Sequence, residues 1–176
     1  MNVCVLGLGY IGLPTAAVLA SRGLNVLGVD CNQNVVDIVN SGQVHIVEPE
    51  LNTLVETAVG SGYLRATVTP ETADVFMIAV PTPFKGTHEP DLSYIESAAK
   101  AIAPVLQKGN MVILESTVPV GATEKLMELL QLDRPDLVFP SSDKEDIKAE
   151  ITIGHCPERV LPGHVVRELV VNDRII

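Results

Sequence analysis

NVCVLGLGYIGLPTAAVLASRGLNVLGVD, residues 2–30, sets the reading of everything that follows it. Positions 2–6 are a short β-branched and aliphatic run of the kind that forms a strand buried on both faces. Glycines then open a turn. From 11 to 21, Ala16, Ala17, Leu19 and Ala20 suit a helix pressed closely onto a sheet, and Arg22-Gly23 supplies a basic last turn and a stop. Positions 25–29 form a second strand. Strand, helix and strand within about thirty residues is the span of one βαβ unit, whose crossover is right-handed and whose strands run parallel.

Working outward, the alternation continues. The pattern predicts helices at 33–40, 49–59, 92–106 and 122–130 and strands at 75–79 and 111–114, with further strands near Leu137 and Ile151. The fold class that follows is α/β, a doubly wound, mainly parallel sheet of Rossmann type with helices on both faces. The stretch 133–150, carrying Pro135, Pro140, Ser141 and Ser142, reads as a polar excursion before the last strand. No repeat or low-complexity tract interrupts the chain.

Composition narrows the function. With 176 residues, 47% of them hydrophobic, residues 1–176 enclose one substantial core, hence one domain. The net charge of −10, from 22 acidic against 12 basic residues, argues against nucleic acid and against an anionic membrane surface as partners. Aromatics at 3%, with no Trp, remove the stacking surfaces of single-strand binders. Cys4, Cys31 and Cys156 form no CxxC pair and fit a reducing cytoplasm. No charged side chain occurs from 2 to 21, yet no basic segment precedes that run, and Gly7, Gly9, Gly12 and Pro14 interrupt it. It is therefore not read as a signal or anchor. His45, His88, His155 and His164 lack metal-site spacing, so no metal is expected.

Gly7-Leu8-Gly9-Tyr10-Ile11-Gly12 is a GxGxxG placed directly after a strand and directly before a helix, the context that gives this short pattern its meaning. Gly7 permits the tight turn, Gly9 offers no side chain to block a pyrophosphate, and Gly12 lets the helix lie close to the strand. Tyr10 and Ile11 lie where the helix presents free N–H groups and its positive dipole end to a diphosphate, so an acidic protein needs no cation to hold one. Asp30, at the tip of the second strand, suits the two ribose hydroxyls of an adenosine and repels a 2′-phosphate, and Cys31-Asn32-Gln33 carries no cation for that phosphate. The cofactor expected is NAD rather than NADP. Two alternatives stand beside it: the glycines form a plain turn with Asp30 capping the next helix, or the site belongs to a methyltransferase, whose glycine loop is usually spaced differently.

Four further segments carry a resemblance: GLGYIGLP (7–14), VPTP (80–83), ESTVPVG (115–121) and CPERVLPG (156–163). Together, and in this order, they resemble the UDP-glucose/GDP-mannose dehydrogenase family. CPERVLPG, HIVEPEL (45–51) and PTPFKGTHEPD (81–91) most resemble its branch acting on UDP-N-acetyl-D-mannosamine. The resemblance implies oxidation of a UDP-sugar to the uronate with two NAD, in polysaccharide biosynthesis. It implies that Val80, Pro81 and Thr82 pass close to the NAD and that Thr117 places a hydroxyl beside the nicotinamide. It implies that Glu158 assists the water that hydrolyses a thioester, that Arg159 pairs with a substrate oxygen or phosphate, and that Val160 and Leu161 line the hexose.

Physical alternatives remain for each segment. VPTP also reads as a strand-ending turn, Ser116 or Thr117 as satisfying backbone N–H groups, and Glu158–Arg159 as an exposed ion pair. Cys156 is not the family's catalytic thiol, which lies in a later, glycine-rich context; Cys4 reads as a small buried hydrophobe. The family's thiol and lysine come from a central helical region and a second, UDP-binding domain, so the expectation is that this chain alone is inactive. Its closing ELVVNDRII (168–176) resembles the run into a next strand. Family homodimer contacts lie in that helical region, so the resemblance assigns this chain no oligomeric state. A stand-alone NAD-responsive regulatory module is the alternative of a different class.

Overall fold

The computed structural model describes residues 1–86, 89–140 and 148–173. His88 of the PTPFKGTHEPD segment, Ser141 and Ser142 of the polar excursion and the last three residues of ELVVNDRII lie outside the described residues.

In chain order the elements are β1 (Asn2–Leu6), α1 (Gly12–Ser21), β2 (Asn25–Val29), α2 (Gln33–Asn40), α3 (Leu51–Gly60), β3 (Leu64–Thr67), β4 (Val75–Ile78), β5 (Phe84–Lys85), β6 (Glu89–Pro90), α4 (Ser93–Ile102), β7 (Met111–Leu114), α5 (Ala122–Asp133), β8 (Thr152–His155) and α6 (Val165–Val171). Six strands make one sheet in the order β3-β2-β1-β4-β7-β8, every neighbouring pair parallel, while β5 and β6 form a separate antiparallel hairpin. The chain winds from β1 to one side of the sheet and then returns to build the other side from β4. The two halves part between the carboxyl ends of β1 and β4, which is where doubly wound sheets open a crevice for ligands.

Strand alternation fills two apolar layers. Val3 and Val5 of β1 face α1, α2 and α3, together with Leu13, Val36, Val55 and Val166. Cys4 and Leu6 face α4 and α5, together with Phe76, Ile102, Leu114 and Leu126. β1 is thus buried on both faces, as its unbroken apolar run requires. Burial pushes the Cys4 thiol up to about 12, the behaviour of a small hydrophobe. α1 ends as the sequence indicates. Gly23 at φ +82 gives its N–H to the Ala20 carbonyl and Leu24 gives its own to Leu19, the paired bonds of a Schellman stop.

Several expectations need correction. The helix foreseen over 92–106 stops at Ile102 and tightens into a 3-10 turn, Ala103–Val105, because Pro104 has no N–H for an α-helical bond. α5 runs on to Asp133. No strand forms at Leu137: Leu137 and Phe139 are buried, but the backbone there builds no strand ladder, the Val138 carbonyl alone accepting from Glu150 and Ile151. A further helix, α6, was not foreseen; it takes in the first four residues of ELVVNDRII, and Val165 and Leu169, one turn apart, are buried on its inner face. β3 was not foreseen at all. It is four residues long at the sheet edge, and Asn40 grips it with two hydrogen bonds, Nδ2 to the Ala66 carbonyl at 2.9 Å and Oδ1 from the Ala66 N–H at 2.7 Å.

The β5–β6 hairpin is pinned to α4 through Asp91. Its carboxylate meets Lys85 Nζ at 2.7 Å and accepts the Ser93 N–H at 2.9 Å, and these contacts, Lys85 foremost, hold its pKa down at about 2. Since the folded value lies below the ordinary 3.8, the anchor is complete above that pH and fades as pH falls through about 2. Carbon-detected NMR should place the Asp91 carboxyl midpoint near 2, with Ser93 amide protection declining across the same range. A midpoint at the ordinary carboxylate value would show that the anchor is not formed.

Candidate functional site

Gly7 leaves β1 at φ +89, its N–H given to the Val29 carbonyl at 2.8 Å. A Cβ at Gly7 would sit 2.7 Å from the Ala79 carbonyl oxygen, and one at Gly12 would sit 1.7 Å from the Gly7 oxygen. Both glycines are therefore demanded by the packing of the loop against itself and against the end of β4. Gly9 differs: a Cβ there would meet no protein atom within 4 Å. Its glycine has no use within the protein and fits a backbone kept bare for a ligand of close approach. α1 begins with Ile11 as N-cap, without a side-chain cap and without an acidic residue in its first turn. Its first helical bond runs from Leu13 to Gly9, so the amides of Tyr10, Ile11 and Gly12 precede the helical ladder at its positive dipole end. These residues fit a diphosphate.

Asp30 continues the same site. Its Oδ2 accepts the Leu8 N–H at 3.0 Å and its Oδ1 accepts the Asn32 N–H at 2.9 Å, so the carboxylate braces the glycine loop from the tip of β2. It is not the cap of α2; Asn32 is, accepting from Asn34 at 3.0 Å. Asp30 borders a cleft of about 270 Å³ whose walls include Gly7, Val68, Val80, Pro81 and Ala98. The lining is mostly apolar with one carboxylate at the rim, which suits a flat heterocycle carried on a diol.

The VPTP and ESTVPVG segments meet at the same edge. Thr82 Oγ1 donates to the Thr117 carbonyl at 2.8 Å, and Ser116 Oγ donates to the Val80 carbonyl at 2.7 Å. The Ser116 hydroxyl thus serves a carbonyl of the neighbouring strand end and not an N–H of its own turn; at Thr117, which is exposed, the carbonyl and not the hydroxyl serves Thr82. Beneath them Glu115, fully buried, accepts the Thr15 hydroxyl of α1 at 3.3 Å, bracing the β7 end to the first turn of that helix.

CPERVLPG follows β8. Cys156 is buried and gives its N–H to the Leu114 carbonyl, and His155 Nε2 lies 3.3 Å from the Ser116 carbonyl, so the motif starts beside the ESTVPVG turn. Glu158 is half-buried with Oε1 accepting the Arg159 N–H at 2.7 Å; Arg159 and Leu161 are exposed and Val160 is partly so. α6 folds back to hold this loop, Glu168 Oε2 accepting the Leu161 N–H at 2.8 Å and Asn172 Nδ2 donating to the Arg159 carbonyl at 3.1 Å. The bracing roles of Glu115, Glu168 and Asn172 were not read from the sequence, because each depends on a partner that only the folded chain brings within reach. Among the described residues no cluster of His, Cys, Asp and Glu suits a metal, and no helix is long and apolar enough to cross a membrane.

A parallel doubly wound sheet with a bare glycine turn, an uncapped helix start and a carboxylate at the second strand tip defines a dinucleotide-binding domain of the dehydrogenase type. The chain matches, over residues 1–176, the model described as UDP-glucose/GDP-mannose dehydrogenase family, NAD binding domain, and it belongs to that family; its cofactor is NAD. It is 65% identical over 176 residues to UDP-N-acetyl-D-mannosamine dehydrogenase of Campylobacter jejuni, covering 99% of this chain and 43% of that protein. It is 64% identical over 175 residues to NDP-N-acetyl-D-galactosaminuronic acid dehydrogenase of Ralstonia nicotianae, covering 99% and 41%. Among solved structures, the UDP-D-ManNAc dehydrogenase of Pyrococcus horikoshii superposes with a TM-score of 0.90 at 41% identity, over 99% of this chain and 40% of that one. The chain spans about two fifths of the length of these relatives.

The packing separates the roles of two glycines. Gly12→Ala should destabilise by about 3 kcal/mol or more in urea unfolding, since the new methyl meets backbone that cannot yield, and should abolish NAD binding. Gly9→Ala should leave Tm within about 2 °C of wild type and weaken NAD alone. Equal stability of both variants would contradict this division.

Proposed function

We propose that these residues are the NAD-binding part of a cytoplasmic dehydrogenase that oxidises UDP-N-acetyl-D-mannosamine to its uronate with two NAD, in polysaccharide biosynthesis. The observation that carries the reading is the pairing of Gly9, open to approach, with Asp30 at the rim of the adjoining cleft. Gly7, Gly9, Tyr10, Ile11 and Gly12 hold the diphosphate by backbone N–H groups, and Val80, Pro81 and Thr82 flank the dinucleotide. A carboxylate offers about four acceptor positions. Asp30 uses two on backbone amides, leaving capacity for a ribose diol. A 2′-phosphate would instead face that carboxylate.

NAD, when bound, accepts hydride. The chain's own groups orient the reaction: the Thr82 bond fixes the Thr117 backbone, and the Thr117 hydroxyl would stand beside the nicotinamide. Glu158 acts as the general base toward water, and Arg159, Val160 and Leu161 contact the sugar side. The remaining groups of the reaction, the thiol above all, come from the architecture that relatives carry beyond this span, so residues 1–176 by themselves form half a site. A stand-alone regulatory module is not favoured, because relatives that match 99% of the chain at 60% identity and above are dehydrogenases by name.

Titration calorimetry should give an NAD affinity at least about tenfold above that for NADP, and Asp30→Ala should weaken NAD by about tenfold to a hundredfold while narrowing the gap. Equal or tighter NADP binding by the wild type would defeat the assignment of Asp30. Mixed with NAD and UDP-N-acetyl-D-mannosamine, residues 1–176 alone should produce no NADH absorbance; steady turnover would refute the half-site reading.

A further inference from the structure

Glu48 belongs to the HIVEPEL segment between α2 and α3, and it is only 7% exposed. Both of its carboxylate oxygens converge on a single donor, the Gly163 N–H, with Oε1 at 2.8 Å and Oε2 at 3.0 Å. The contact joins positions 115 apart in sequence, and its far end is the last residue of CPERVLPG, where Gly163 turns at φ +87 into α6. The near end is stiff. Ile46 and Leu51 are buried on either side, the Glu48 carbonyl accepts the Leu51 N–H at 3.4 Å, and Glu50 turns the chain at φ 66, a conformation that a residue with a Cβ adopts only at a cost.

For stability alone this arrangement is a poor choice. A buried carboxylate loses its hydration, and one amide serves only part of its acceptor capacity. Among the described residues no cation pairs with Glu48, and an apolar side chain would avoid the desolvation altogether. What the carboxylate does supply is position. The bonds from Glu168 and Asn172 close the loop onto the helix that directly follows it, whereas Glu48 ties it to a segment from the other half of the chain. Glu48 is also absent from the walls of the cleft that Asp30 borders, so its influence falls on the loop and not on the dinucleotide.

We propose that Glu48 is a positioning residue for the nucleotide sugar, a latch on Gly163 that fixes where Glu158, Arg159, Val160 and Leu161 stand. This rests on the reading of the 156–163 loop as the sugar-facing element. Breaking the latch lowers affinity for the sugar nucleotide and leaves affinity for NAD unchanged.

Amide exchange on the nitrogen-15-labelled chain, and titrations on the same chain joined to the remaining region of the Campylobacter jejuni relative, which supplies the UDP-binding part, test both parts. In Glu48→Ala, and in Glu48→Asp, whose carboxylate is too short to reach, the Gly163 amide should exchange at least about tenfold faster than in wild type. Glu48→Gln retains an acceptor oxygen and should stay within about threefold of wild type. NAD affinity by calorimetry should remain within about twofold in all three, and UDP-N-acetyl-D-mannosamine should shift the amides of Glu158 to Leu161 in wild type and Glu48→Gln at concentrations at least about fivefold lower than in the other two. Unaltered Gly163 exchange in both Glu48→Ala and Glu48→Asp overturns the latch, as does loss of NAD affinity in step with it. Faster exchange with an unchanged sugar titration overturns the positioning role. If Glu48→Ala does not fold, Glu48→Asp decides. Absence of any sugar response in the wild type overturns instead the reading of the loop as sugar-facing, while the exchange data still judge the latch.

Discussion

The close approach between the start of α1 and the ends of β1 and β4 is the constraint on which the rest of the structure depends. At Gly12 there is room for a hydrogen and nothing larger, because a Cβ would lie 1.7 Å from the Gly7 oxygen. Gly7 in turn abuts the Ala79 backbone at the end of β4, and Ala16, Ala17 and Ala20 carry the same short-side-chain packing along the helix. The helix can therefore begin directly over the point where the two halves of the sheet part. Its N-terminus, with no acidic residue of its own in the first turn, stands at the crevice that this parting creates. Any displacement of α1 toward the sheet would press on Gly7, which itself borders the cleft.

Around that contact the carboxyl edge of the sheet is braced mainly by side chains bonding to backbone. Asp30 holds Leu8, Ser116 holds Val80, Thr82 holds Thr117, Glu168 holds Leu161 and Glu48 holds Gly163. Such bonds tolerate little slack, because each fixes a loop amide or carbonyl at hydrogen-bond distance from an element already packed in the core. They also explain how a chain of net charge −10 is suited to a dinucleotide diphosphate. The attraction comes from backbone N–H groups and a helix dipole placed locally, and the overall charge is spread over exposed faces where water screens it.

Much of this was legible in the residues. The glycine spacing after an apolar run located β1, the turn and α1, and the boundaries of β2, α2 and β7 fall where the patterns end. The elements that escaped share one property, that their local signal is weak and their partner is remote. β3 has four residues, one of them Arg65, and takes its place because β2 offers an edge and Asn40 a grip. α6 is rich in valine, a residue that favours strands when nothing else decides, and becomes helical because its buried side chains recur one turn apart against α1. The apolar residues at Leu137 and Phe139 suggested a strand, yet they are buried with only the Val138 carbonyl between them bonded to the approach to β8, too little for a ladder.

By itself the sequence determined the fold class, the family and the identity of the groups at the glycine turn and at the tip of β2. Those depend on residue types at fixed short spacings, and local sterics and periodicity act over such spacings. Only the tertiary structure decided which loops touch: that Thr82 meets Thr117, that Asp30 braces the glycine turn and leaves the capping of α2 to Asn32, and that Glu48 reaches Gly163. Contacts of that kind follow from the winding of the sheet, which brings strand ends far apart in the chain to one edge. A pairing between a side chain and a distant backbone amide leaves no mark in the sequence, because every residue except proline supplies the same N–H.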